Sequence, residues 1–488
     1  VIVPYQISWL GLVALVAWGP FVLLSFARLS PISACLLAIL GGDLLLPAGG
    51  AGFSISGLPD LSASRIATLS ALAGCVVFHR GRLLRVITRP WFLLLVALFG
   101  VSALATALTN RDVAVQGIRT FAALTPYDGL SMWISHLLDY AIPFLLGAAL
   151  FRRKQDLLLL HRWVVLAALL YTLPILYELR MSPQLHNMVY GYFPHSFIQS
   201  IRGGGYRPVV FLGHGLAVAM FLATGVLLAA GLWRVGATLW RGIPAWTAAV
   251  YLLVILLLCK SMAPAVYAIT GALLLLLSPL RLRMTSIAVL TSLAIAYPVL
   301  RTAGWIPTDA MVEAAASVSQ ERADSLAFRF ANEEILLARA HERIRFGWGG
   351  FGRNRVFGDY GDLTVTDGMW IIVVGLSGIV GFGVLFGQFG VVIANAIRTA
   401  GRLRSPETRI LFSSLTLLIA VRLVDCIPNA GFGSFLFLLV GATTGLCTGL
   451  PAEERARRRI RRRDALGTRL EQPAPLENPM PTSGPAPG

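Results

Sequence analysis

The sequence predicts an all-α polytopic membrane protein, and two observations carry that expectation. The chain is 56% hydrophobic with only 13% charged residues over 488 positions, and its apolar residues gather into repeated runs. Each run has the length of a bilayer-crossing helix, about 20 apolar residues, and a helix satisfies its backbone polar groups internally. A soluble core of this size would not alternate in that way, and the mean hydropathy of +0.72 agrees.

Taken in order, the runs fall near 7–27, 31–48, 64–79, 90–109, 131–151, 157–178, 208–232, 244–260, 262–280, 285–300, 368–396, 409–426 and 431–450. They predict about 12–13 transmembrane helices. Five regions follow: an N-terminal transmembrane bundle (1–200), a second helical group (201–300), one large polar loop (301–367), C-terminal helices (368–450) and a tail (451–488). No basic residue precedes the first run, so no cleavable signal peptide is expected. The tail opens on RARRRIRRR and ends Pro-rich and polar, which predicts disorder on the cytoplasmic side.

The net charge of +17 does not call for nucleic acid. Its basic residues sit in short loops on alternate sides of the spans: 79–89, Arg152 to Lys154, Arg234 with Arg241, Arg281 with Arg283, and 398–404. That is the positive-inside pattern, and it places those loops in the cytoplasm and the loops 179–207 and 301–367 outside. Counting back puts the N-terminus outside if all thirteen runs span, and 31–48 and 64–79 are the runs whose failure to span would reverse it.

The 301–367 loop carries eight Arg against ten Asp and Glu and no Lys, a mixed-charge surface suited to a polar substrate. The cysteines at 35, 75, 259, 426 and 447 all lie in or beside apolar runs and read as small core residues. No P-loop, dinucleotide fingerprint, zinc-protease or nucleophile-elbow motif occurs, so no metal and no cofactor is expected.

Four places hold polar residues that a bilayer penalises. In the first, Arg202 and Arg207 flank a Gly-rich turn, and His214 is expected two helical turns inside the next span on the same face as Arg207. The second is Lys260-Ser261, between two spans, where either a snorkelling Lys or a phosphate contact fits. The third is Asp139, expected to contact His136 across one turn. The fourth is the long loop itself, ending Thr366-Asp367.

The succession YRPVVFLGHGLAVAMFL, CKSMAPAVYAITGALLLLL, SLAFRFANEEILLARAHERIRFGWGGFG and TDGMWIIVVGLSGIVGFGVLF, over about 200–395, resembles the O-antigen ligase and Wzy-type polysaccharide polymerase superfamily. The resemblance implies a GT-C-like helical bundle with one large periplasmic loop in the bacterial inner membrane. It also implies transfer of a glycan from an undecaprenyl-diphosphate-linked donor to a glycan or lipid-linked acceptor, among membrane lipids and other polysaccharide assembly proteins. It carries Arg207 onto the family's arginine at the mouth of a span, and Arg329 onto the arginine that begins the amphipathic loop helix. Ligases tend to show His-Asn where the loop re-enters the membrane, and this chain has Thr366-Asp367.

The chemistry suits these residue types independently. Breaking a sugar–diphosphate bond leaves negative charge on oxygens that guanidinium forks hold in bidentate fashion. Arg207 and Arg329 are the first candidates, with Arg202, Lys260, Arg353 and Arg355 as further substrate contacts. The base that takes the acceptor proton is Asp367 or His214. The glycines of GWGGFG either turn tightly beneath the substrate or pack the loop around Trp348 and Phe351. An exporter with Asp139, Lys260 and His214 along a path is the alternative, and a sensor with the loop as receptor is a third.

Overall fold

The computed structural model describes residues 7–470 apart from Ser56, Gly203, Val318 and Tyr360, with backbone alone for Arg241 and 460–470. The expected Pro-rich end, 471–488, lies outside the described residues. The architecture is predominantly helical, with four short two-stranded hairpins in the connections. In order come α1 (Trp9–Arg28), α2 (Pro31–Leu45), α3 (Ala63–Ile87), α4 (Pro90–Leu108), α5 (Pro126–His136), α6 (Ile142–Leu150), α7 (Lys154–Met181), α8 (Leu185–Tyr190) and α9 (Gly215–Arg234). There follow α10 (Ala245–Leu258), α11 (Met262–Leu277), α12 (Leu280–Thr302), α13 (Thr308–Ala316), α14 (Gln320–His341), α15 (Met369–Arg402), α16 (Pro406–Asp425) and α17 (Ser434–Leu470). A π-helical turn, Leu137–Ala141, joins α5 to α6.

Each apolar run of the sequence contains helix, but only eight helices among the described residues are long and apolar enough to cross a membrane. These are α1, α4, α5 with α6, α7, α9, α12, α15 and the first part of α17. The remaining runs fall short for two physical reasons. Helices α2, α10 and α11 have 15, 14 and 16 residues, and α3 and α16 carry charged residues such as Arg65, Arg82, Arg422 and Asp425.

The basic start of the tail is also helical, since α17 continues to Leu470. All five cysteines are free, and Cys35, Cys75, Cys259 and Cys426 are buried.

Lipid tails are as apolar as leucine, so helix association in a bilayer depends on close packing, which small residues permit. Helix α17 carries Gly441, Gly445 and Gly449 at four-residue spacing against α6. A Cβ at these positions would meet Phe144 O at 2.0 Å, Phe151 O at 2.3 Å and Arg152 O at 2.0 Å. The two backbones touch along the whole seam.

One end of the bundle gathers short loops. The Lys154 amide donates to Glu453, and the Arg404 and Ser405 amides donate to Glu454. At the other end of α16 and α15 lie the 425–434 turn and the long loop, tied together where the Met369 amide donates to the carbonyls of Cys426 and Asn429. Helix α15 has 34 residues, roughly 50 Å at 1.5 Å per residue. We therefore expect cysteines placed at Ser317 and Arg398, on a cysteine-free background, to react with an impermeant thiol reagent from opposite faces of the membrane. Reaction of both from one face would contradict the two-ended arrangement.

About half of the polar loop is helix, in α13 and α14. Its GWGGFG segment holds it onto a break in α15. At Gly378, where φ is +64°, the helix loses its regular ladder. The freed groups are satisfied from the loop: Trp348 and Gly349 amides donate to the carbonyls of Gly375 and Leu376, and Ile379 and Val380 amides donate to Ile344 and Arg345. Irregular backbone at this depth is tolerated only with such partners. The segment also bonds α4, with Thr106 Oγ1 on Phe346 O at 2.6 Å and Asn110 Nδ2 on Gly347 O at 2.9 Å. Arg339 and Arg343 stack on Trp348 at 3.2 and 4.4 Å.

A Cβ at Gly378 would sit 2.3 Å from the Arg345 carbonyl. Strained φ alone costs about 1–3 kcal/mol, so Gly378→Ala should lower the melting temperature of the purified protein well below that of Gly383→Ala, where a Cβ meets open space. Equal melting temperatures would show that the clamp contributes nothing.

Candidate functional site

Above the helical bundle and beneath α14 lies a cavity of about 2250 Å³. Its walls come from the ends of α2, α9, α11, α16 and α17, with the polar loop as roof. Arg202, Arg207, His214, Lys260, Arg329, Arg355 and Asp367 all line it. Residues distant in sequence thus meet around one space.

Arg207 is the most buried of them, 7% exposed. It leaves the short hairpin Ile201–Arg202 with Gly205–Tyr206, and its amide donates to Ser200 O at 2.7 Å. Its Nη2 donates to Ser261 Oγ at 2.8 Å, whereas its buried Nε has no hydrogen-bond partner. A buried guanidinium nitrogen left without an acceptor is costly, and here it packs against Gly215 rather than facing the open space.

The segment after Arg207 is not helical, contrary to the sequence expectation. Glu178 Oε2 accepts from the amides of Val209 and Val210 at 2.7 and 2.8 Å, and Val210 is held at φ +47°. Helix α9 starts only at Gly215, so His214 is its N-cap rather than a residue two turns inside it. His214 Nδ1 accepts from the Leu216 amide at 3.0 Å. In the neutral ring the proton then sits on Nε2, which faces Gln199 Oε1 at 3.4 Å. Burial first, then the charges of His195, Arg207 and Arg329, push this imidazole down to about 4. At neutral pH His214 is therefore a neutral donor toward the cavity.

Lys260 turns the chain between α10 and α11 with φ +53°, and its Nζ donates to Arg202 O at 3.3 Å. Arg329 stands in the middle of α14 and does not begin it. Its Nε lies 3.7 Å from Asp367 Oδ2, and its Nη1 donates to Pro428 O at 3.2 Å. Asp367 is brought there because Asn332 Oδ1 accepts from the Val365 amide at 2.7 Å and Gly368 packs against Ile427 O. Arg355 pairs with Asp362 at 2.8 Å on the rim.

Arg353 does not join the site. It is fully buried away from the cavity, where its guanidinium donates to the carbonyls of Trp348, Ala122 and Asp112. It ties the loop to the 110–122 segment. The GWGGFG glycines are likewise absent from the lining, which leaves them the packing role. Asp139 accepts a bidentate pair from Arg65 at 2.7 and 2.8 Å, and the expected contact with His136 is not made; that ring stacks on Tyr140. Asp139 does not line the cavity either.

No model of a known protein family matches the chain, and no curated protein is similar to it. The site has to be read from its own chemistry.

Sequence reasoning passed over Asp43, Arg422 and Asp425, which line the inner end of the same cavity. Asp425 is 2% exposed and accepts from Asn429 Nδ2 at 2.9 Å, and Arg422 Nη2 donates to Gly431 O at 2.8 Å. The signal was present, since Arg422 and Asp425 interrupt an apolar run one helical turn apart, and charges within a span mark functional positions. Altogether the cavity combines apolar walls with several cations, and it holds the carboxylates Asp43, Glu321, Asp367 and Asp425, of which Asp367 stands beside Arg329. It can hold a multiply charged anion with an apolar tail and offer a proton acceptor nearby.

Proposed function

We propose that the protein is a membrane glycosyltransferase of the O-antigen ligase or polysaccharide polymerase type. It would move or polymerise a glycan from an undecaprenyl-diphosphate-linked donor onto an acceptor hydroxyl at the periplasmic face of the bacterial inner membrane, in surface or exopolysaccharide assembly. The observation that carries this reading is the buried Arg207 lining a cavity that it shares with Arg202, Lys260 and Arg329. Its acceptor is a glycan or a lipid-linked glycan, and membrane lipids and other assembly proteins are its surroundings.

In this reading the diphosphate rests against Arg207 and Lys260, with its isoprenoid along the apolar wall and its sugars under α14. The acceptor oxygen attacks the anomeric carbon, the bond from that carbon to the phosphate oxygen breaks, and the electron pair leaves on the diphosphate. Asp367 takes the hydroxyl proton. Protonation neutralises the partner of Arg329, so its charge becomes free to follow the leaving group. Such preorganised donors act where charge develops and so stabilise the transition state more than the ground state.

The exporter reading needs Asp139, Lys260 and His214 along one path. Asp139 is engaged by Arg65 outside the cavity, which favours the transferase. Removing the protein from its cell separates the two. The proposal expects a lipid-linked glycan to accumulate outside the membrane barrier while the transferred product disappears. Accumulation inside that barrier would favour export.

A further inference from the structure

At the end of the bundle opposite the large cavity, a second concave site of about 180 Å³ is lined by Arg82, Arg85, Arg152, Arg153 and Asp156. Its origin is local. Helix α3 kinks at His79, where φ is −140° and ψ is 28°. The bent piece carries Arg82 and Arg85, three residues apart and hence on one face. The break between α6 and α7 supplies Arg152 and Arg153.

The charges at this site do not balance. Four arginines face one carboxylate, and Asp156 Oδ2 is already engaged by the Arg152 and Arg153 amides at 2.8 Å. No ion pair is found for any of the four among the described residues. Burial, with the charges of Arg85 and Arg89, lowers the affinity of the Arg152 guanidinium for its proton. Like charges held this close repel unless an anion sits between them.

We infer that this pocket is a phosphate-ester site, built to take the phosphate of an anionic phospholipid head group. Guanidinium forks match phosphate oxygens in bidentate fashion. Basic pockets between membrane helices are where anionic head groups bind. The small volume admits a phosphate group and excludes the oligosaccharide that the large cavity could hold, so this site is separate from the transfer chemistry.

The test is arginine footprinting of the full-length protein with phenylglyoxal, read by mass spectrometry. It is run in phosphatidylcholine nanodiscs, in nanodiscs containing phosphatidylglycerol, and in detergent with inorganic phosphate. The expected result is loss of modification at Arg82, Arg85, Arg152 and Arg153 with phosphatidylglycerol, while Arg398 and Arg402, exposed like Arg85 and Arg153 but outside the pocket, still react. Protection by inorganic phosphate alone would keep the phosphate site but assign it a free phosphate. Modification of the four at the rate of Arg398 under every condition would overturn the proposal. An R85Q/R152Q variant provides a second reading, because native mass spectra should then show one retained anionic lipid fewer than the wild type.

Discussion

Arg207→Lys should lose glycan transfer by about two to three orders of magnitude while the protein still inserts and purifies as a single species. The size follows from what one preorganised donor is commonly worth at a developing charge, about 2.7–4 kcal/mol. Lysine keeps the charge but has no planar fork, so it cannot hold Ser261 and a phosphate oxygen together. In the protein Arg207 already commits Nη2 to Ser261 while its side chain lines the cavity. Arg329→Lys should be similarly damaging, because Arg329 is held by both Asp367 and Pro428. Arg353→Lys is expected to differ in kind, lowering thermal stability through lost loop contacts before it touches turnover. Initial rates with a lipid-linked donor, next to melting curves, distinguish the two patterns.

Asp367→Asn should lower turnover by about 10²–10⁴-fold, the usual contribution of a positioned proton acceptor, with donor binding unchanged. The amide keeps the shape of the side chain but cannot take a proton. His214 is the comparison. Its Nδ1 accepts from a backbone amide and its neutral ring offers a donor, so His214→Gln removes no base. A neutral hydrogen bond is worth about 0.5–1.5 kcal/mol, and the expected loss is about tenfold or less. If instead His214→Gln abolished transfer and Asp367→Asn left it intact, the roles given to the two residues would be reversed.

Much of the membrane character is legible in the sequence because hydropathy is a local property, and every apolar run contains helix. The cavity is partly legible for the same reason: Arg207, Lys260 and Asp367 stand out as polar residues at the ends of apolar runs. What is not legible is set by contacts from far away in sequence. The stretch VVFLGHGL reads as helix until Glu178, about thirty residues earlier, captures the Val209 and Val210 amides. Arg353 reads as a substrate contact until carbonyls at 112 and 122 surround it. The GWGGFG glycines serve the break at Gly378, which hydropathy does not register. Arg422 and Asp425 were readable as charges within an apolar run, and their neighbours at the cavity make them the next positions to substitute.

The most direct measurement is a transfer assay with purified wild-type protein, an undecaprenyl-diphosphate-linked oligosaccharide and a hydroxyl-bearing glycan acceptor, with no metal or nucleotide added. Released undecaprenyl diphosphate and extended acceptor should appear in equal amounts, and Arg207→Lys should suppress both together. A donor that stays intact in the presence of folded wild-type protein and acceptor, or one consumed at the same rate by Arg207→Lys, would contradict the account.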